Sequence, residues 1–339
     1  MRTAIKAAAG LGALALLARW EAARRRRRWP GFEGRVVLIT GGSRGLGLAL
    51  AREFAQRGAR LAICARDAAE LEAARENLAV SGAEVLARVL DVTDERKTTA
   101  FAEEVERDMG PVDVLINNAG TIQVGPIETM TRLDFEWAMK THYWAALNFI
   151  LAVLPGMRRR ANGRIVNVAS IGGLVAMPHL VPYDASKFAL VGLSEGLRAE
   201  LARDGVWVTT VCPGMMRTGG AVNAWFKGQN EKEYAWFSIG DSLPVASMGA
   251  EKAARRIVEA CRAGRAHVVL TGPGRAAAIL HGLFPGLTAN LLGVVNRLLP
   301  ASGGDGARAR SGRECESGIT RRFVTRLSRR AERRLNQRA

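Results

Sequence analysis

Thr40-Gly41-Gly42-Ser43-Arg44-Gly45-Leu46-Gly47 decides the fold of this 339-residue chain. The stretch follows a short aliphatic run, Val36–Thr40, and opens into an amphipathic pattern over 46–57. A strand, a glycine turn and a helix therefore come in immediate succession. Glycines permit a tight turn and close backbone approach, and a helix start offers unpaired N–H groups and the positive end of its dipole. A glycine turn alone is a weak sign, but one at a strand-to-helix junction reads as a phosphate cradle.

Outward from this point the alternation continues. Aliphatic and β-branched runs lie at Val36–Thr40, 61–65, 84–90, Val112–Asn117, 164–169, 206–211 and 267–270, with helical patterns such as 46–57 and 68–81 between them. The pattern predicts an α/β fold, a Rossmann-type doubly wound parallel sheet of about seven strands in a single domain. Right-handed crossovers place every strand's carboxyl end on one edge, where ligands bind in open sheets. The remaining motifs fall there: Asp91-Val92, Asn117-Asn118-Ala119-Gly120, Ser170, Tyr183-x-x-x-Lys187 and Pro213-Gly214 with Thr218.

Tyr183 and Lys187, four apart on a predicted helix, share one face. A tyrosine with a reference pKa of about 10 is a poor base at neutral pH, and a neighbouring ammonium favours its phenolate. By itself such a pair often means a core tyrosine beside a solvated lysine. Ser170, at the end of a predicted strand and thirteen residues earlier, favours chemistry.

In order and spacing these motifs resemble those of the short-chain dehydrogenases/reductases over roughly the central two-thirds of the chain. The resemblance implies hydride transfer between a nicotinamide cofactor and a carbonyl or secondary alcohol. It implies that Gly41, Ser43, Arg44, Gly45, Leu46 and Gly47 hold the pyrophosphate, Asp91 and Val92 the adenine, Asn117 a cofactor ribose, and Pro213, Gly214 and Thr218 the nicotinamide side. Ser170 would hold the substrate oxygen, Tyr183 would move the proton, and Lys187 would bond the nicotinamide ribose. Where the family often has an asparagine on the helix before Ser170, this chain has His142. His142 either continues a proton path from the lysine or packs against the helix. The family is commonly dimeric or tetrameric, which makes a homo-oligomer an expectation here.

The second predicted strand ends at Cys64-Ala65-Arg66, without the carboxylate that would bind ribose hydroxyls in an NAD enzyme. Arg66 and Arg44 suit a 2′-phosphate, so NADP(H) is the expected cofactor. The alternatives are that these arginines are solvated surface groups, or that Asp67 offsets them. Between Gly219 and Asp241, Trp225, Phe226, Tyr234, Trp236 and Phe237 either line a bulky apolar substrate or pack helices.

The formal charge of +17 sits at the ends: residues 1–35 carry net +7 and residues 302–339 net +7, leaving +3 between. The four regions are a 1–32 apolar and basic segment, the 33–273 catalytic domain, a 274–300 apolar extension and a 301–339 basic tail. Residues 7–18 form an uncharged Ala/Leu run before Arg24 to Arg28. A crossing helix needs about 20 apolar residues, although snorkelling flanks extend a shorter one. The five arginines oppose a secretory signal, which is the rival reading, and favour a membrane anchor with the catalytic domain in the cytoplasm. The apolar extension is broken at Pro285-Gly286 and reads as a membrane-surface hairpin. The tail from 319 reads as a basic helix drawn to anionic lipid, or as a solvated tail. Basic groups beside apolar runs favour lipid over nucleic acid as partner.

Scattered cysteines and four separated histidines fit a reducing compartment and no metal. The expected function is NADP(H)-linked oxidoreduction of a small carbonyl or alcohol, of lipophilic character. The competing class is a catalytically silent NADP(H)-binding sensor or membrane scaffold, against which the intact serine, tyrosine and lysine argue.

Overall fold

The computed structural model describes residues 29–243, 247–317 and 326–337; the expected N-terminal anchor, 7–18, lies outside them. Seven parallel strands form one sheet: β1 (Val36–Thr40), β2 (Arg60–Ala65), β3 (Val85–Val89), β4 (Val112–Asn117), β5 (Gly163–Val168), β6 (Val206–Cys212) and β7 (His267–Val269). Their order across the sheet is β7-β6-β5-β4-β1-β2-β3. Order reverses between β1 and β4, which opens the crevice where open α/β sheets take their ligands.

All five residues of β1 are buried, the mark of a strand covered on both faces. Val37 and Ile39 pack with α1 (Gly45–Ala55), α2 (Ala68–Ala79) and α8 (Ala250–Arg262) through Leu50, Phe54, Leu71 and Ile257. Val36 and Leu38 point the other way, into Phe101, Phe149 and Val153 of α3 (Glu95–Met109) and α5 (Ala145–Arg159). The two-residue period of the strand thus feeds two cores. On that second face α4 (Arg132–Met139) runs through a π-helical turn, Lys140–Trp144, into α5. The long α6 (Val181–Leu201) crosses beside β6.

A small lobe stands over the carboxyl edge. Gln123–Val124 pairs with Trp225–Phe226, which pairs with Arg310–Ser311, and α7 (Asn230–Ser242) lies against them. Phe226 and Tyr234 are buried there with Val124 and Cys315, and Trp236 and Phe237 pack on them. Most of the aromatic segment is therefore a satellite core, and Trp225 is its exposed member. After β7 come two further helices, α9 (Gly272–Leu283) and α10 (Pro285–Asn296). The basic tail forms α11 (Arg326–Arg334). Residues 327–337 of it dock on the body along one face: Leu335 is fully buried in the core with α1 and α8, Ser328 bonds Ser242, and Arg334 pairs with Glu251 at 3.2 Å. Among the described residues no helix is long and apolar enough to cross a membrane.

Candidate active site

The glycine turn follows from close packing. Gly41 and Gly45 have φ of +66° and +56°, in the left-handed region that favours glycine. A Cβ on Gly47 would lie 1.9 Å from the Gly41 carbonyl. Asn118 braces the turn, donating from Nδ2 to the carbonyls of Thr40 (3.0 Å) and Gly41 (3.2 Å), while its N–H goes to Thr40 Oγ1. The first turn of α1 has no acidic residue and no side-chain cap. That leaves a positive helix start fit for an anion.

Asn117, expected beside a cofactor ribose, points into the sheet instead: its Nδ2 donates to Asn167 Oδ1 at 2.8 Å, tying β4 to β5. Asn118 and Ala119 are the residues of that motif that reach the glycine turn, the Ala119 N–H also donating to Thr40 Oγ1 at 3.0 Å. Asp91 holds its own turn, accepting from the N–H and hydroxyl of Thr93, and Val92 is buried. Pro213 accepts from Ile171 N–H at 2.7 Å, and Thr218 Oγ1 accepts from Gly220 N–H, so the loop after β6 is fixed against the loop after β5.

Arg66 is exposed at the end of β2. Arg44 is paired, its guanidinium 2.8 Å from Glu70 Oε1. Glu70 is a carboxylate that the sequence reading passed over, because it lies in the first turn of α2 rather than at the strand end. Asp67 places it by capping α2, accepting from Glu70 N–H at 2.8 Å. A buried acid beside the turn offsets Arg44, and Arg66 carries no such pairing with it.

Ser170, Tyr183, Lys187 and His142 come together at the carboxyl end of β5. Ser170 caps a short turn, accepting from Gly172 N–H at 3.0 Å, and lies near enough to Tyr183 to bear on its hydroxyl. Two glycines allow this: a Cβ on Gly172 would lie 2.2 Å from Asp184 Oδ1, and one on Gly173 2.7 Å from the Lys187 carbonyl. Lys187 is buried, its Nζ donating to the Val168 carbonyl at 2.9 Å and lying 5.7 Å from the Tyr183 ring centre. Burial lowers its pKa to about 7 and pushes that of half-buried Tyr183 above the ordinary tyrosine value. In this state desolvation outweighs the expected help from the ammonium. Beside it, burial raises Asp184 to about 8; one of its oxygens accepts from Met177 N–H at 2.6 Å and the other has no hydrogen-bond partner.

His142 sits in the π-helical turn with both ring nitrogens engaged. Nε2 accepts from Thr121 N–H at 3.1 Å, so the proton is on Nδ1, which donates to Ser186 Oγ at 2.7 Å; that hydroxyl donates to the Tyr183 carbonyl. Burial and the Lys187 charge hold its pKa well below the usual histidine value. It is a neutral tie between the loop after β4 and the Tyr183 helix, stacked edge-on to the Tyr183 ring at 5.4 Å.

The C-terminal residues reach this edge. Leu335 carbonyl accepts from Gly45 N–H at 2.8 Å, and Asn336 Nδ2 donates to the Ser43 and Glu70 carbonyls. Gln337 accepts from Asn223 at 2.7 Å on the opposite side. The tail thus spans from the glycine turn to the loop after β6, and nothing in its arginine-rich composition announced this.

A switch-point crevice with a glycine turn on one side and a serine, a tyrosine and a lysine gathered on the other has the layout of a hydride-transfer oxidoreductase. The chain belongs to the short-chain dehydrogenase family, which matches residues 35–227. It is 34% identical over 252 residues to the putative oxidoreductase SadH of Mycobacterium tuberculosis, covering 74% of this chain and 90% of that one. It is 34% identical over 287 residues to dehydrogenase/reductase SDR family member 7B of Danio rerio, covering 81% and 90%. Among solved structures, L-sorbose reductase from Gluconobacter frateurii, complexed with NADPH and L-sorbose, superposes with a TM-score of 0.64 at 28% identity, covering 71% of this chain and 97% of that one.

Proposed function

We propose that this protein is an NADP(H)-dependent reductase or dehydrogenase of a lipophilic carbonyl or secondary alcohol. The observation that carries the reading is the convergence of Ser170, Tyr183 and Lys187 at the sheet edge that also holds the glycine turn. Gly41, Ser43, Gly45, Leu46 and Gly47 with the start of α1 receive the pyrophosphate. Arg66, assisted by Arg44, receives the 2′-phosphate, and Asp91 and Val92 border the adenine. Pro213, Gly214 and Thr218 close the nicotinamide side. Bound NADP(H) supplies or accepts the hydride.

The chain's own groups handle the proton. Ser170 Oγ holds the substrate oxygen as charge develops on it, and the Tyr183 hydroxyl gives that oxygen a proton in reduction or takes one in oxidation. Lys187 Nζ supplies the nearby positive charge that eases the transfer. His142 acts as a positioning residue, holding the Tyr183 helix against the loop after β4. The catalytically silent alternative has no observation in its favour at this cluster.

Lipophilic character is supported by exposed Trp225 at the lobe and by the apolar helices after β7. NADPH oxidation by the full-length protein over a panel of steroid-like, retinoid-like and long-chain ketones against polyols tests the reading. Turnover of the apolar set, abolished by Tyr183→Phe, is the expected result; activity confined to polyols overturns the substrate class.

A further inference from the structure

α9 and α10 stand apart from the body of the protein. Gly274 is the buried residue of α9 and Thr288 that of α10. Leu283, Phe284, Leu287, Leu291, Val294 and Leu298 are 49–84% exposed. Water-facing helices normally carry charge opposite their apolar stripe. Here no Asp, Glu, Lys or Arg occurs from 276 to 296, and positions away from the stripe are mostly alanine and glycine, with His281, Thr288 and Asn290 the polar exceptions outside the helix ends.

The chain enters at Gly272, turns at Phe284-Pro285 and runs on to Asn296, so Arg275 and Arg297 flank the charge-free stretch, one on each side of the turn. Twelve residues per arm is about 18 Å of helix, close to the roughly 15 Å of one leaflet's hydrocarbon and far short of a span.

We propose that this hairpin inserts tip-first into a single leaflet of a lipid membrane. Phe284 and its neighbours lie among acyl chains, and Arg275 and Arg297 sit at phosphate level. Two like charges at the two ends of a charge-free stretch match a headgroup layer better than the mixed rim of a protein interface. The hairpin base touches the candidate site: a Cβ on Gly274 would lie 3.7 Å from Ile171 Cδ1, next to Ser170, and one on Gly214 would lie 2.3 Å from Thr271 Oγ1. Insertion therefore sets the substrate mouth at the membrane surface, where an apolar carbonyl partitions; this last step rests on the proposed function, while insertion itself does not.

The four native cysteines are all buried, so a new surface cysteine takes a label selectively. Full-length Phe284→Cys and Ala301→Cys, each carrying an environment-sensitive dye, would be mixed with vesicles of phosphatidylcholine, with and without phosphatidylserine. The dye at 284 should shift to the blue and be quenched by acyl-chain quenchers, while that at 301 stays in the headgroup range, with stronger association on the anionic vesicles. Leu287→Asp with Leu291→Asp should cut the fraction of protein showing this depth signal about tenfold with NADPH binding unchanged. A dye at 284 that keeps its water emission on vesicle-bound protein overturns the proposal. So does a blue shift without vesicles that tracks dimer formation in sedimentation, which would make the hairpin a contact between copies. Loss of NADPH binding in the native chain would instead strike the proposed function and leave the depth result standing.

Discussion

The two C-terminal pieces of this chain behave opposite to their composition. Helices α9 and α10, without an acidic or basic side chain from 276 to 296 apart from His281, are exposed along nearly their whole length, whereas the arginine-rich α11 is docked on the catalytic core with Leu335 fully buried. Hydropathy alone would have exchanged them. What places α11 is a set of specific partners: the Gly45 N–H, the Ser43 and Glu70 carbonyls, Asn223 and one apolar anchor. Among the described residues the hairpin meets no such partners, and its surface is left for another solvent.

If this contrast is right, chemistry belongs to the core on which α11 docks, and none belongs to the hairpin. Tyr183→Phe should therefore lower kcat by about 10²–10⁴-fold while leaving NADPH binding in place, as expected for loss of a general acid–base group. Single-turnover kinetics with bound NADPH measures it. A loss of similar size from Leu287→Asp with a water-soluble substrate would break the contrast.

Asp184 sharpens it from the side of stability. Its pKa, raised by burial to about 8, means the folded state holds this proton more tightly than the unfolded one, where the usual carboxylate value is about 4. The stabilisation is full below about pH 4 and is lost as pH rises through about 8, at up to about 1.4 kcal/mol per pH unit in that window. Lys187 has the opposite sign: its value, lowered to about 7, makes stability rise with pH between about 7 and 10. Asp184→Asn should flatten the decline of Tm between pH 5 and 8, and a hairpin substitution should not. An unchanged slope in Asp184→Asn would show that the carboxylate is not buried as described.

Much of the core was legible because its motifs are tied to backbone geometry. A glycine turn between a strand and a helix, and Tyr183 four residues before Lys187, allow few arrangements, and β1 to β7 lie where aliphatic runs end at loops. Less legible were residues whose roles depend on contacts far along the chain. Glu70 reaches Arg44 only because Asp67 caps α2, and Gly172-Gly173 matter only against Asp184 and Lys187 of α6. His142 could be placed but not read, since its two partners, Thr121 and Ser186, come from separate elements. The tail's destination had no local signal at all.

Glu70 bears on the next prediction. It already pairs with Arg44, which leaves exposed Arg66 as the main group for a 2′-phosphate. Arg66→Ala should weaken NADPH about tenfold and NADH hardly at all, the size of one charge-assisted contact at a wet site. Parallel fluorescence titrations check it, and equal loss for both nucleotides would mean that Arg66 does not read the phosphate.

The smallest effect concerns the docked tail, and it tests the contrast most directly. Leu335 carbonyl occupies the N–H of Gly45, one of the donors at the start of α1 that an anion would use. A carbonyl and a phosphate oxygen cannot both sit there, so nucleotide must displace at least residues 335–337 from the turn. Displacement sacrifices a hydrogen bond worth about 1 kcal/mol net, together with those of Asn336. Truncation after residue 325 should then tighten NADPH binding about fivefold, while lowering Tm in the absence of nucleotide through loss of the Leu335 anchor. Asn336→Ala should move both in the same direction by less. Calorimetric titration alongside thermal melts separates the two quantities. Weaker NADPH binding in a folded truncated protein would mean that the tail closes over the nucleotide rather than competing with it, and the contrast with the hairpin would then lie in what each piece covers, not in whether it does.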